Sequence, residues 1–327
     1  MKIANWNLNH INPSEDSRLT AIRKHFAEVK ADIWVLTETH ELVAPGKDFS
    51  SVMSGEPDWD AKQGEHWSAI WSRHPIMHLP SFVSDPARCT AARIDHPDIG
   101  EIVVYATVLP WGGSKWRDIG SADGAAFKAA LDLYVSDWQR IRTAFPQALI
   151  VIAGDFNQDL APYHYYGSKK QRALLEAALT SVGLVPLTTE LNDSVDDNAA
   201  ERHACIDHIC ISESPRPFIG ETTRWPAKGK PDCRLSDHSY VVVELLRQSA
   251  DFTDSQFEAI KSNPLNASLC GSRTASGGFS DIKFHEELMA GVDDTPLRLI
   301  TAQKLVTRGE LSIKDAEEVF RVKFPPC

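Results

Sequence analysis

The chain has 327 residues and 36.3 kDa, with 43% hydrophobic and 24% charged residues, a mixture that excludes general disorder and supplies a core able to hold a buried polar site. Lys and Arg number 34 against 45 Asp and Glu, a net charge of −11 with a pI near 5.5. Such a chain gains no overall attraction to nucleic acid or anionic membrane, so a polyanionic substrate needs a local basic rim or bound cations.

The start, Met1-Lys2-Ile3-Ala4-Asn5-Trp6-Asn7, lacks a charged region followed by a long apolar stretch, so no signal peptide is expected. No run of about 18 apolar residues predicts a membrane span. Residues 2–8 read as a strand that ends in the loop Asn9-His10-Ile11-Asn12-Pro13. From Ser14 to Lys30, Leu19, Ile22, Phe26 and Val29 recur at helical spacing, with Ser14, Asp16 or Ser17 as N-cap. Ile33-Trp34-Val35-Leu36 is a continuous apolar run, typical of a strand buried on both faces. Strands are expected near 67–72, 76–83, 90–94 and 101–109, and a helix over 123–143 carrying Phe127, Leu131, Tyr134, Val135, Trp138 and Ile141. Leu149–Ala153 is another apolar strand; a helix follows over about 169–182, then strands near 206–212, 218–224 and 239–246.

After Leu246 the character changes. Residues 249–281 are rich in Ser, Asp, Asn and Gly and read as a linker with one short helix near 254–262. From 283 the pattern is helical again, with Gly309 as a stop and Ser312 and Asp315 as a capping box. This predicts a small helical hairpin that packs on the main body or contacts a protein partner. The six cysteines, Cys89, Cys205, Cys210, Cys233, Cys270 and Cys327, form no CxxC pair and read as reduced thiols of a cytoplasmic protein.

Polar residues recur where apolar strands end: Asn7 and Asn9, Glu38, Asp155 and Asn157, Asp207 and His208, Asp237 and His238. Taken singly, each is more often a cap or turn residue, as Asp and Asn favour turns. Together they must be satisfied by one another, by water or by a metal, and several strand ends on one rim assemble a site.

In order and kind, Asn5-Trp6-Asn7-Leu8-Asn9, Leu36-Thr37-Glu38-Thr39, Ser72-Arg73-His74-Pro75-Ile76, Gly154-Asp155-Phe156-Asn157, Ile206-Asp207-His208-Ile209 and Ser236-Asp237-His238 resemble the endonuclease/exonuclease/phosphatase superfamily, of the deoxyribonuclease I-like kind. The resemblance spans about residues 1–247 and leaves 248–327 as the linker and helical extension. It implies an α/β (α+β) four-layer sandwich, two packed mixed sheets flanked by helices, with the site at one sheet edge.

The resemblance also implies roles. Glu38 would be the principal ligand of Mg²⁺ (or Mn²⁺), helped by Asp237 and Asn9; hard oxygens suit that ion. Asp155 would orient or deprotonate the attacking water, and Asn157 would hold the water or the phosphate. His238, oriented by Asp207, would donate to a phosphate oxygen, with Asn7 supporting the same pocket. One position departs from the family: Val108 stands where many members place a His. His10, His40, Trp111 or a basic residue of the next loop would substitute, or the rate or substrate would differ.

Two loops mix aromatic and basic residues beside the expected site, Trp111-Gly112-Gly113-Ser114-Lys115-Trp116-Arg117 and Tyr163-His164-Tyr165-Tyr166-Gly167-Ser168-Lys169-Lys170-Gln171-Arg172. Trp111, Lys115, Arg117, Tyr166 and Lys169 are the expected substrate contacts, since stacking rings and cations suit a nucleic-acid groove; equally, the tyrosines would pack and the lysines start a helix. The expected activity is a nuclease-like phosphodiesterase acting on DNA or RNA. The alternatives are a small-molecule or inositol-phosphate phosphatase and a catalytically silent binding protein.

Overall fold

The computed structural model describes residues 1–58, 61–161, 166–189, 204–213, 217–225, 235–247 and 314. The expected linker, the short helix near 254–262, the helical hairpin and Tyr163–Tyr165 lie outside the described residues. The chain divides into two compact units, Met1–Arg216 with Thr222–Glu244, and Pro217–Glu221 with Leu245–Cys327. Asn7, Glu38, Asp155, Asp207 and His238 all belong to the first.

In chain order the elements are β1 (Lys2–Asn7), α1 (Asp16–Val29), β2 (Ile33–His40), β3 (Ser50–Met53), β4 (Glu65–Ser72), β5 (Ile76–His78), β6 (Thr90–His96), β7 (Gly100–Val108), α2 (Ala125–Ala144), β8 (Leu149–Asp155), α3 (Lys169–Ser181), β9 (Leu184–Pro186), β10 (Asp207–Ser212), β11 (Phe218–Trp225) and β12 (Tyr240–Leu246). They form two six-stranded mixed sheets, ordered β11-β12-β1-β2-β4-β3 and β5-β6-β7-β8-β10-β9. The parallel pairs are β1–β2, crossed over by α1, and β7–β8, crossed over by α2.

The sheets face each other, β1 lying against β8 and β10, and β4 against β6 and β7. That is why Leu149–Asp155 is buried along its whole length and reads as an unbroken apolar run. On the outer face of the first sheet, Phe26 of α1 packs edge-on to Trp34, ring centroids 4.7 Å apart, and to Trp6 at 6.0 Å. On the outer face of the second, Tyr134 and Trp138 of α2 and Leu175 and Leu179 of α3 cover Tyr105 and Ile152. The result is the expected four layers: helix, sheet, sheet, helix.

One polar clamp crosses the interior. The buried Asn5 side chain donates to the carbonyls of Gly154 (2.9 Å) and His208 (3.4 Å), tying β1 to β8 and β10. Both bonds lie in the interior, so this amide pins the first sheet to the paired strands β8 and β10 of the second at that point.

Three expectations are corrected. Helix α1 is capped by Glu15 and not by Ser14, Asp16 or Ser17, and no side chain bonds the helix end. The strand expected over 76–83 stops at His78, because Pro80, which has no N–H to continue a ladder, starts a 3₁₀ turn over Pro80–Phe82. Short strands β3 and β9 went unpredicted, being only four and three residues long and at sheet edges.

Candidate active site

The C-terminal ends of β1, β2 and β8, the N-terminal end of β10 and the loop entering β12 meet at one edge of the two sheets. Pairing does the assembling. Asn7 is the register partner of Thr37, next to Glu38, and Asp155 is the register partner of Asp207. The Asn7 Nδ2 donates to Glu38 Oε1 at 3.0 Å and to Asp155 Oδ2 at 3.1 Å, so one buried amide joins carboxylates from both sheets. Asn157 donates its backbone N–H to Asp155 Oδ1 (2.8 Å) and its side chain to Asp155 Oδ2 (3.1 Å) and to the Leu109 carbonyl (2.9 Å).

His238 Nδ1 lies 2.6 Å from Asp207 Oδ2. Its position is fixed from behind: Ser236 Oγ donates to the Asn7 carbonyl at 2.7 Å and accepts the His238 N–H at 3.1 Å, while Trp6 Nε1 donates to the His238 carbonyl at 3.2 Å. Arg18 of α1 donates to the carbonyls of Leu8 and, at 2.7 Å, of Leu235, holding both loops under the site.

Backbone strain concentrates here. Among the described residues, seven non-glycine residues have positive φ, and Asn9, His10, Glu38 and Asn157 are four of them, with φ between 45° and 49°. At Glu38 this interrupts the β2–β4 register, which passes from Thr37↔Ser68 to Thr39↔His66. A non-glycine residue held there costs on the order of 1–3 kcal/mol, a penalty that the surrounding bonds must over-determine.

The charge balance is acidic. Burial pushes the Asp155 carboxyl up to about 7, with Asp207 adding to the effect and His238 opposing it. Burial also raises Glu38, which His10 partly offsets from 3.1 Å. For His238, burial works against the imidazolium, but the carboxylates of Asp207 and Asp155 outweigh it and push the group up to about 10. One ligating atom each from Asp155, Asp207 and His238 lie within 4.8 Å of one another, an acidic and imidazole cluster compact enough for a divalent cation.

The remaining expected residues fall in several places. Asp237 is exposed beside the dyad, where its charge raises Asp207 and His238. Asn9 is exposed and reaches the cluster through its backbone N–H, which donates to Asn7 Oδ1 at 2.8 Å. Val108 is buried as the register partner of Asp155, so no polar group stands at that strand position. Of the named substitutes, His10 meets Glu38, whereas His40 is buried between the Leu42 N–H and the Gln63 carbonyl and serves its own loop.

In the loops, Trp111, Lys115, Tyr166 and Lys169 are exposed. Arg117 is a strut: its guanidinium lies 4.4 Å from the Trp116 ring centroid and donates to the Ser84 carbonyl at 3.1 Å. Trp116 is itself buried and donates to Asp85. The second loop is tied to the Asp155-Phe156-Asn157 turn by residues the sequence reading passed over. Gln158 donates to the Tyr166 carbonyl (2.9 Å) and accepts the Ser168 N–H (3.0 Å), and Asp159 pairs with Arg172 at 3.2 Å. Their only signal was adjacency to that motif.

The family model described as the Endonuclease/Exonuclease/phosphatase family matches residues 4–238. Among solved structures, the chain is similar to the 3′-5′ exonuclease NExo from Neisseria meningitidis, with 21% identity over 75% of this chain and 100% of that one and a TM-score of 0.54. It is also similar to the AP endonuclease LMAP from Leishmania major, with 15% identity over 75% of this chain and 87% of that one and a TM-score of 0.55. At these identities the likeness is one of fold. No curated protein sequence matches the chain.

Proposed function

As the chain belongs to the endonuclease/exonuclease/phosphatase family, we propose that it hydrolyses phosphoester bonds as a Mg²⁺-dependent phosphodiesterase of the nuclease kind, acting on DNA or RNA. The observation that carries this reading is the Asn7 amide, which joins Glu38 to Asp155 beside the His238–Asp207 pair. Four strand ends and one loop converge on that point, and buried titratable groups with shifted pKa values gathered in this way support a functional site.

The donor set fits a hard divalent cation. Glu38 and Asp155 are both raised chiefly by burial, and a bound cation relieves that penalty directly. Glu38 is the principal ligand in this reading, with Asp237 and Asn9 helping directly or through water; Mn²⁺ would serve in place of Mg²⁺. Bound there, the ion offsets the negative charge of the phosphate and of the oxygen that leaves.

The chain's own groups do the rest. Asp155, held by Asn7 and by two bonds from Asn157, accepts a proton from the attacking water and sets its direction. Asn157 stands beside that water or the phosphate. His238, oriented through Nδ1 by Asp207, donates from its other nitrogen to a non-bridging oxygen where negative charge grows. Asn7, whose two amide hydrogens go to Glu38 and Asp155, supports the same pocket by holding those carboxylates in place. Trp111, Lys115, Tyr166 and Lys169, with Arg117 bracing the first loop, form the rim that receives the substrate.

Residues 1–247 act as the catalytic domain, and 248–327 as a linker and helical extension that packs on it or meets a protein partner. Among the described residues no helix is long and apolar enough to cross a membrane, and Cys89, Cys205 and Cys210 are free and buried. The free thiols support work in the cytoplasm. The test is hydrolysis of bis(p-nitrophenyl) phosphate and p-nitrophenyl phosphate with Mg²⁺, with Mn²⁺ and with EDTA. Metal-dependent turnover of the diester is expected; preference for the monoester would make it a phosphatase, and no turnover of either a silent binding protein.

A further inference from the structure

A cavity of about 510 Å³ opens beside the site, walled by Trp111 and Gly112, by Asp123 and Gly124 at the start of α2, and by Tyr166 and Gln171 at the start of α3. Its floor is unusual. Gln171 is only 4% exposed and its backbone N–H is satisfied by the Ser168 side chain at 3.1 Å, while its side-chain amide lines the cavity and makes no hydrogen bond to another described residue. An amide placed so meets whatever fills the cavity, and a ligand that offers both an acceptor and a donor can take over the bonds that water otherwise makes there.

The surrounding backbone keeps that amide accessible. A Cβ at Gly112 would come within 3.7 Å of Gln171 Oε1, and one at Gly124, whose φ is +73°, within 3.1 Å of Nε2. Any larger residue at either position would fill the space above the amide. At the mouth stand two of the four exposed large hydrophobic side chains among the described residues, Trp111 at 52% and Tyr166 at 36%. The Trp111 ring is held in place over Gly113, where an added Cβ would overlap it at 2.0 Å.

We propose that this cavity binds an unpaired nucleobase of the substrate, the base adjacent to the cleaved phosphate, through stacking on Trp111 and Tyr166 and hydrogen bonds from Gln171. A ligand here must be flat, apolar on its faces and able both to donate and to accept on its edge. A nucleobase meets all three demands, and a glutamine amide offers the paired donor and acceptor that base edges take. A phosphate alone would use Lys170, which also lines the cavity, but neither ring. The base is unpaired because both its face and its edge are engaged, which a stacked duplex does not allow.

Distance ties the cavity to the chemistry. Trp111 follows Leu109 by two residues, at most about 7 Å of chain. The Leu109 carbonyl bonds the same Asn157 side chain that holds Asp155. On the other wall, Gln158, next to Asn157, holds the Ser168 cap of α3. Both walls are thus anchored to the catalytic turn, and the neighbouring nucleotide is the one within reach.

This assignment rests on the nuclease reading, and the experiment separates the two. Full-length protein is given single-stranded oligonucleotides that carry, next to the scissile bond, either an ordinary base or a tetrahydrofuran abasic residue, and kcat and KM are measured for wild type, Trp111→Ala and Gln171→Leu. In the wild type, removing the base should raise KM on the order of ten- to a hundred-fold, the size of a lost stacking contact. Each variant should shrink that base-to-abasic ratio towards one. Trp111 is exposed, so its variant keeps the test valid should Gln171→Leu fail to fold. An active enzyme whose ratio is one from the outset, or whose ratio survives both substitutions, overturns the subsite alone. Absence of oligonucleotide cleavage alongside turnover of the small diester overturns both the subsite and a nucleic-acid substrate, while leaving the phosphodiesterase standing.

Discussion

Asp155 and Asp207 are direct partners across the antiparallel β8–β10 ladder, and both are buried at 2% exposure or less. Only Asp207 has a cation of its own, His238 at 2.6 Å. Asp155 has neutral amides, from Asn7 and Asn157. Two carboxylates in one buried pair of strand positions therefore differ in their surroundings: the first favours the charged imidazolium of His238, and the second is pushed up to about 7 by burial.

Asp207→Asn preserves the shape of that arrangement but removes the charge that offsets the desolvation of His238. The imidazole then loses its main reason to stay protonated and its preference for one orientation. The expected outcome is a fall in kcat of about 10²- to 10⁴-fold with little change in KM, the range found when a general acid–base partner is lost. Steady-state kinetics on the chromogenic diester decide this. Rates within a factor of two of wild type would remove the dyad from the chemistry.

Glu38→Gln leaves Asn7 a partner at the same place yet removes the carboxyl group proposed to hold the metal. Half-maximal activity should then require at least about 10- to 100-fold more Mg²⁺, a loss at least equal to that seen when supporting groups of a metal site are removed. EDTA should abolish wild-type turnover, and added Mg²⁺ or Mn²⁺ should restore it. A metal titration that superimposes on wild type would place the ion elsewhere.

Gly154 precedes Asp155 and cannot be replaced. Its φ is +145°, and a Cβ would lie 1.9 Å from the Thr107 carbonyl oxygen in the neighbouring strand. That is a backbone collision that no rotamer change relieves. Gly154→Ala should destabilise the fold by at least about 3 kcal/mol, beyond the usual range for a single substitution, or prevent soluble expression. Urea unfolding with an unshifted midpoint would show that β7 and β8 separate more easily than their pairing implies.

The strands that carry the site were legible because they lie between two layers and so read as unbroken apolar runs ended by polar residues. Leu149–Asp155 and Ile33–His40 are of this kind. What the sequence hid depends on distant partners. Nothing local marks Asn5 as the clamp on Gly154 and His208, Arg18 as the brace on Leu8 and Leu235, or Gln171 as the floor of a cavity left open by Gly112 and Gly124. Edge strands β3 and β9 were missed because their few residues carry no sustained alternation. His10 was named only as a stand-in for Val108; its contact with Glu38 depends on two adjacent residues at positive φ, which no periodicity reports.

His208, next to Asp207, belongs to the scaffold, and its chemistry makes an acid-sensitive prediction. It is fully buried, with Nδ1 at 2.9 Å from Thr188 Oγ1 and Nε2 at 3.0 Å from the Gln158 carbonyl. The carbonyl can only accept, so Nε2 carries the proton and Nδ1 accepts from the hydroxyl: the ring is neutral. Burial lowers its pKa to about 4. Above roughly pH 6.5, the ordinary value, neither folded nor unfolded chain protonates this ring, and its contribution is constant. Between about 6.5 and 4 the unfolded chain takes up a proton that the folded chain refuses, so stability falls as pH falls, by about 1.4 kcal/mol per unit. Carboxyls raised by burial, Asp155 and Glu38, act in the opposite sense, so the comparison must be between wild type and His208→Gln, in which they are common to both. At pH 7.5 the variant should be less stable than wild type by about 1–3 kcal/mol, since its amide only partly replaces two buried bonds. At pH 5 the gap should narrow by about 2 kcal/mol, because only the wild type has an imidazole to protonate on unfolding. Urea denaturation of both proteins at the two pH values measures the gap directly, and parallel stability curves would mean that His208 is charged, or exposed, in the folded protein.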